Sequence, residues 1–400
     1  MKHGALVAGT ASGAAFASLV PVAAFLVLTP AQYGTFSLPY LIYAFGISLQ
    51  FSIVSDAWTR TAKRSGMVSP WGDYFAAVLL LAASVGLVSV VVLLVTPATH
   101  SVAWSAGVIA LAVIRNGSRY HAVAARFRAR AIAADLAGIA GFAVALLTGI
   151  SRLDPLEAVL IAWAAASIVG MAGLEMPQVK SAAAVPRWFR DHGVSIRPLL
   201  ADSLLLDLGS IGTPFLLAPF LGLHRFGIYR GISNVALPVR LVLDPIRPAL
   251  AGSRAQSVTG RRPLFIVLAS AVLLALVCFA VLAWVVPALG FAVGTLSSLS
   301  QFALPCAVYV LASFASQFYY MVCRMFLAPP RLLIGRIVQT IAAVLMPIIG
   351  LIERGLAGAI WGFVAGTVLT AVIWIGLAMS MHGSEQRSDG VAPWGVEREI

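Results

Sequence analysis

Long apolar runs alternate with short polar turns along nearly the whole chain. The cores of these runs are Ala5 to Leu28, Phe36 to Trp58, Tyr74 to Val95, Val102 to Tyr120, Ala131 to Ile150 and Leu156 to Leu174. A second set comprises Leu199 to Leu221, Gly227 to Leu250, Leu264 to Val286, Gln301 to Val322, Leu332 to Ile352 and Leu356 to Met379. Each is close to the roughly 20 residues that a helix needs to cross a hydrocarbon layer about 30 Å thick. The pattern predicts an all-α integral membrane protein of about twelve transmembrane helices. The region Met1 to Leu28, where Lys2 precedes an apolar run, shares features with a signal peptide. The length of its run and the lack of a cleavage pattern after Leu28 favour a first span.

Basic residues fall on alternate loops. Arg60, Lys63 and Arg64 follow the second span, Arg126, Arg128 and Arg130 the fourth, and Lys180, Arg187, Arg190 and Arg197 the sixth. Arg254, Arg261 and Arg262 follow the eighth, and Arg324 and Arg331 flank the turn after the tenth. The opposite loops hold only Arg152, Arg225 and Arg354. This asymmetry predicts a multi-pass protein of the inner membrane with both termini cytoplasmic. Residues 176–197, punctuated by Pro177 and Pro186, read as a cytoplasmic linker between a six-helix lobe over 1–175 and another over 198–381. The alternative for Trp188-Phe189-Arg190 is a short amphipathic piece on the membrane surface. Residues 382–400 are polar and read as a disordered cytoplasmic tail.

The halves echo one another. Tyr33-Gly34-Thr35-Phe36, at the turn from the first span to the second, matches Phe226-Gly227-Ile228-Tyr229, at the turn from the seventh to the eighth. Tyr120 pairs with Tyr320, and Ala162-Trp163 with Gly362-Phe363, at nearly the same offset. A repeat with an even number of spans enters the membrane twice in the same orientation. The two copies are then expected to be related by an axis along the membrane normal, with a site between them near the midplane, as in alternating-access transporters.

Composition agrees: 60% of residues are hydrophobic, 10% are charged, and the mean hydropathy is +0.95. The net charge of +12 is placed by the loop pattern at a membrane face, and nucleic acid is not an expected partner. Cys278, Cys306 and Cys323 lack the spacing of a disulfide framework or a zinc site. No His-Glu-x-x-His pair and no Gly-x-x-x-x-Gly-Lys-[Ser/Thr] loop is present. The external turns are short, and the longest, Pro287 to Ser300, carries no charge. An enzyme is therefore not expected, nor a cofactor.

The segment Leu28-Thr29-Pro30-Ala31-Gln32-Tyr33-Gly34-Thr35-Phe36-Ser37-Leu38 resembles the "L-x-P-x-x-Y-G-x-[FL]-[ST]-L" turn of bacterial polysaccharide flippases. These are the O-antigen and exopolysaccharide members of the multidrug/oligosaccharidyl-lipid/polysaccharide exporter superfamily. The resemblance implies a two-lobed flippase that moves an undecaprenyl-pyrophosphate-linked oligosaccharide between leaflets through a cationic cavity. It implies membrane lipids as surroundings and a polysaccharide polymerase or glycosyltransferases as partners. It carries no residue-by-residue ligand set.

Candidate chemistry lies in charges within apolar runs, because a charge at mid-bilayer costs at least about 2.5–3.5 kcal/mol and usually serves a partner, a cavity or a path. Arg240, Asp244 and Arg247 share one helical face at i, i+4 and i+7, on a helix interrupted by Pro238, Pro245 and Pro248. They suit an anionic headgroup, the bland alternative being a structural pair with Arg247 reaching the surface. Arg115 and Arg119 form a second deep basic site, unless Asp135 ties one of them to the neighbouring helix. Arg230 lines the path or reaches outward. Asp207 is the candidate ion-coupling carboxylate, the alternative being an ion pair. Ser313, Gln317, Tyr320 and Arg324 form a stripe that either binds sugar hydroxyls or bonds between helices. The runner-up functions are a cation-coupled multidrug antiporter of the same superfamily and a membrane glycan polymerase or glycosyltransferase.

Overall fold

The computed structural model describes every residue except Met1, 66–68, 97–98, 100–101, 125–126, 178, 180–182, 244–257, 291–292, 328 and 389–400. The described residues are almost entirely helical. The helices are α1 (Lys2–Val27), α2 (Pro30–Gln50), α3 (Asp56–Ser65), α4 (Trp71–Val95), α5 (Ser105–Ala124), α6 (Arg128–Gly149) and α7 (Pro155–Ala172). There follow α8 (Ala184–Asp207), α9 (Thr213–Val235), α10 (Leu237–Leu243), α11 (Arg261–Ala280), α12 (Ala303–Phe326) and α13 (Pro329–Ser388).

Eight stretches of these helices are long and apolar enough to cross a membrane. Two of them are hairpins. Residues 184–239 break at Gly222 (φ +69°) and 330–381 break at Gly355 (φ +60°). Only glycine takes such a φ without steric cost, which is why both turns sit on one. A shorter apolar helix, Ala11–Val27, lies in α1, and α5 has its apolar run diluted by Arg115, Asn116 and Arg119. Counting both arms of each hairpin gives the twelve crossings expected from the apolar pattern.

Packing divides the chain into two compact units. The first comprises Met1–Asn234 with Trp284–Gln301, and the second Val235–Ala283 with Phe302–Ile400. In the first unit α6 packs along α7 and α1, and α5 lies between α4, α7 and α2. Its aromatic heart is Trp163, buried against Phe36, Tyr40 and Tyr43. In the second unit α12 packs against α11 and α13 around Trp374, Tyr319 and Val322. The two arms of α13 touch backbone to backbone, because a side chain on Gly350 or Gly358 would overlap the carbonyl of the other. Helix association in lipid relies on such close approach.

Three local features differ from the sequence reading. The expected linker, 176–197, is helical from Ala184 onward and runs on into the seventh span as α8. Its reason is a buried face: Trp188 donates from Nε1 to the Ile53 carbonyl at 3.0 Å, and His192 Nε2 meets Ser69 Oγ at 2.8 Å. The expected tail is helical as far as Ser388, and 389–400 lie outside the described residues. The matched motifs are not turns but the first turns of helices. Thr29 caps α2 through a capping box with Gln32, with Pro30 at the first helical position. The corresponding break in α9 is at Gly222, four residues before Phe226.

Candidate functional site

Two buried polar clusters, one in each unit, gather around arginine. In the first unit α5 places Arg115 and Arg119 one turn apart on a single face, and α6 presents Asp135 to both. Asp135 is 0% exposed and accepts from Arg115 Nη2 at 2.5 Å and from Arg119 Nε at 2.8 and 2.9 Å. Ser12 Oγ of α1 donates to its other oxygen at 2.8 Å, and Arg119 Nη2 donates to the Gly9 carbonyl at 2.9 Å. Arg115, 4% exposed, lies over the Phe16 ring with Cζ 3.2 Å from the centroid. Glycines make the room. A Cβ on Gly13 would overlap the Arg119 guanidinium, and one on Gly170 would lie 2.8 Å from Arg115 Nε. The three charges sum to +1, with the carboxylate fully engaged.

In the second unit Arg336 of α13 is 2% exposed. Its Nη2 donates to the Tyr320 hydroxyl of α12, its Nη1 donates to Gln339 Oε1 at 3.2 Å, and its Cζ lies 4.3 Å from the Tyr320 ring centroid. Trp374 Nε1 also donates to Gln339 Oε1, at 3.2 Å. The repeat survives here as position, not as charge. Arg119 and Asp135 are 16 residues apart, as are Tyr320 and Arg336, and the second pair lies 201 positions after the first, one residue off the offset of 200 that relates Tyr120 to Tyr320. A carboxylate tie in one unit thus becomes a phenol–guanidinium tie in the other.

Arg230 occupies a third place, on α9 just after the Gly222 break. It is 8% exposed, its Nε is buried without a hydrogen-bond partner, and no ion pair involves it among the described residues. Beside it Asn234 Nδ2 bonds to the Tyr33 hydroxyl.

The remaining sequence candidates are scattered. Arg240 stands on α10 with its side chain outside the described residues, as are Asp244 and Arg247 altogether. Asp207 is buried at the end of α8. Along the Ser313–Arg324 stripe, Gln317 Nε2 donates to Ser313 Oγ at 3.0 Å on its own helix, Tyr320 holds Arg336, and Arg324 is exposed. Arg336, Gln339 and Trp374 were not among the sequence candidates. The repeat offset of 200 carries Asp135 to Gly335, the neighbour of Arg336, so the echo points to the place but not to the residues. A chain of amides and hydroxyls beside Arg115 was also missed: Asn116 donates to Gln50 Oε1 at 2.5 Å, Gln50 donates to Ser55 Oγ at 2.5 Å, and Ser55 Oγ meets the Tyr74 hydroxyl at 2.9 Å. Among the described residues no three His, Cys, Asp or Glu side chains gather into a metal site.

No family model matches the chain, and no curated protein matches it in sequence. Solved structures do. The lipid II flippase MurJ in an inward closed conformation is similar over 98% of this chain and 93% of its own, with a TM-score of 0.62 at 9% identity. An outward-facing multidrug resistance MATE family transporter of the MOP superfamily is similar over 96% of both chains, with a TM-score of 0.57 at 13% identity. The eukaryotic MATE transporter AtDTX14 covers 96% of this chain and 97% of its own, with a TM-score of 0.52 at 11% identity. The chain has the fold of these transporters. These neighbours are two-lobed transporters of about twelve spans.

Proposed function

We propose that the protein is a flippase that moves a lipid-pyrophosphate-linked oligosaccharide, a polysaccharide or O-antigen repeat unit, across the bacterial inner membrane by alternating access. Both termini face the cytoplasm in this reading, because the basic loops lie on their side. The observation that carries it is Arg230: a buried guanidinium in an apolar helix with no carboxylate partner among the described residues. An anionic headgroup supplies the missing partner, and arginine's fork suits a pyrophosphate because it stays protonated and donates bidentately. Arg240 and Arg247, with Asp244 between them, are proposed to extend this path toward the cytoplasm, and Gln317 and Arg324 to meet the glycan. Arg115 and Arg119 are committed to Asp135, so their proposed part is to hold the first lobe rigid with a residual positive field. Asp207 remains the proposed coupling group, driven by an ion gradient or the membrane potential.

The MATE neighbours favour a second reading, a cation-coupled multidrug antiporter. The sign of the buried charge separates the two. Purified protein in liposomes is given a fluorescent undecaprenyl-pyrophosphate oligosaccharide, and exposure to an impermeant quencher is followed over time. The same vesicles are loaded with a fluorescent organic cation under a pH or sodium gradient. Flipping of the anionic lipid without gradient-driven cation efflux supports the flippase; the reverse pattern establishes the antiporter.

A further inference from the structure

The matched motifs of the repeat meet each other in space. A Cβ on Gly34 would overlap the Leu223 carbonyl oxygen, with the carbonyl carbon 2.9 Å away. A Cβ on Gly227 would overlap the Pro30 carbonyl oxygen, with that carbon 2.8 Å away. Leu223 precedes Gly227 by four residues, and Pro30 precedes Gly34 by four. The contact is therefore reciprocal, as a two-fold axis between the start of α2 and the second arm of α9 requires. A third segment closes on the same place. Within and just after the expected outer turn, Pro287 to Ser300, the uncharged stretch Gly294–Phe302 is a 3₁₀ helix. Its Gly294 takes φ +48°, and a Cβ there would stand 2.5 Å from the Leu26 carbonyl oxygen. Thr295 Oγ1 donates to the Leu28 carbonyl at 2.9 Å, at the end of α1. Thr295 and Leu299 also lie against Gly231, where a Cβ would meet them at 3.2 and 3.5 Å. Gly231 is the residue after Arg230, which is itself buried.

The bonding across the junction is sparse for its closeness. Glycine against carbonyl gives only dispersion and weak Cα–H···O contact. Among the described residues, side-chain hydrogen bonds from Asn234 to Tyr33 and from Thr295 to the Leu28 carbonyl join it. Such a contact is specific in shape yet inexpensive to part, unlike the carboxylate tie of Asp135.

We propose that Gly34, Gly227 and the 294–302 strap form a clasp that shuts over Arg230 and parts as one unit to expose it at the face opposite the basic loops. As a gate for an anionic substrate the clasp rests on the flippase reading; as a unit that opens together it does not.

Two measurements test these separately. Amide hydrogen exchange is followed by mass spectrometry on the full-length protein, wild type, Gly34→Leu and Thr295→Val. Gly34→Leu props the reciprocal contact, and exchange is expected to rise at least tenfold in 25–36, 223–231 and 294–302 together, while 112–119 and 131–138 stay protected. A rise confined to 30–38 overturns the common unit. Should Gly34→Leu lose protection throughout, Thr295→Val decides: it removes one hydroxyl, and unchanged exchange at 25–33 and 223–231 overturns the proposal. In the second measurement, Leu28→Cys with Thr295→Cys is cross-linked in a background where Cys278, Cys306 and Cys323 are alanine. Flipping that stops on cross-linking and returns on reduction supports the gate, and flipping undiminished by the cross-link overturns it. Absence of flipping in the uncross-linked protein counts against the flippase reading alone, because the exchange experiment needs no substrate.

Discussion

The Arg119–Asp135 tie and the Tyr320–Arg336 tie join corresponding helices within one residue of the same repeat position, yet they bury arginine in different ways. The first unit buries a carboxylate between two guanidinium groups, so removing the acid leaves two buried positive charges facing each other. In the second, the guanidinium contacts described are with a phenol, an amide and the face of one aromatic ring. A duplicated fold therefore keeps the location of a helix–helix tie while its chemistry drifts. The tie that depends on opposite charges is also the less tolerant one.

Substitutions break this comparison in a definite order. Asp135→Ala has the largest expected effect, about 3–5 kcal/mol of destabilisation, because it orphans buried charge; thermal unfolding of the purified protein in detergent reads it directly. Gly13→Leu comes next, at about 1–3 kcal/mol, because the new side chain overlaps the Arg119 guanidinium and forces the tie apart. Arg336→Leu is expected to cost less than Asp135→Ala, about 1–2 kcal/mol, since the hydrogen bonds and cation–π contact it removes at Tyr320 and Gln339 are with neutral groups. If it instead equals the Asp135 variant in the same unfolding assay, the two ties are not chemically distinct. Tyr320→Phe keeps the ring and loses the hydroxyl, for about 1 kcal/mol. Arg324→Ala, on an exposed side chain, stays within about 0.5 kcal/mol.

The crossings were legible because burying backbone in lipid demands long apolar helices, and the pattern of apolar runs records that demand directly. The echo at Tyr33-Gly34 and Phe226-Gly227 was legible too, but not its meaning: that the two glycines bring carbonyls of α2 and α9 into contact depends on three-dimensional pairing. The helical linker was hidden by its composition. Pro186, Arg187 and Arg190 read as solvated chain, while Trp188 and His192 at i and i+4 bury the one face that matters. Arg336 was invisible for a similar reason. It stands seven residues into α13, where an arginine is expected to snorkel, and its burial comes from Tyr320 and Trp374, distant in sequence. Asp135 was legible as a tie, though not that it would hold both Arg115 and Arg119.

The central claim is that Arg230, buried with no carboxylate partner among the described residues, serves an anionic lipid, and charge selectivity tests it most directly. Initial flipping rates are measured in liposomes for the same oligosaccharide on undecaprenyl pyrophosphate, on the monophosphate and on a neutral polyprenol, in wild type and Arg230→Gln. The account predicts that wild type prefers the pyrophosphate by at least tenfold over the neutral lipid, and that Arg230→Gln, still folded, loses most of that preference. Equal rates for the three lipids, or a preference untouched by Arg230→Gln, would contradict it.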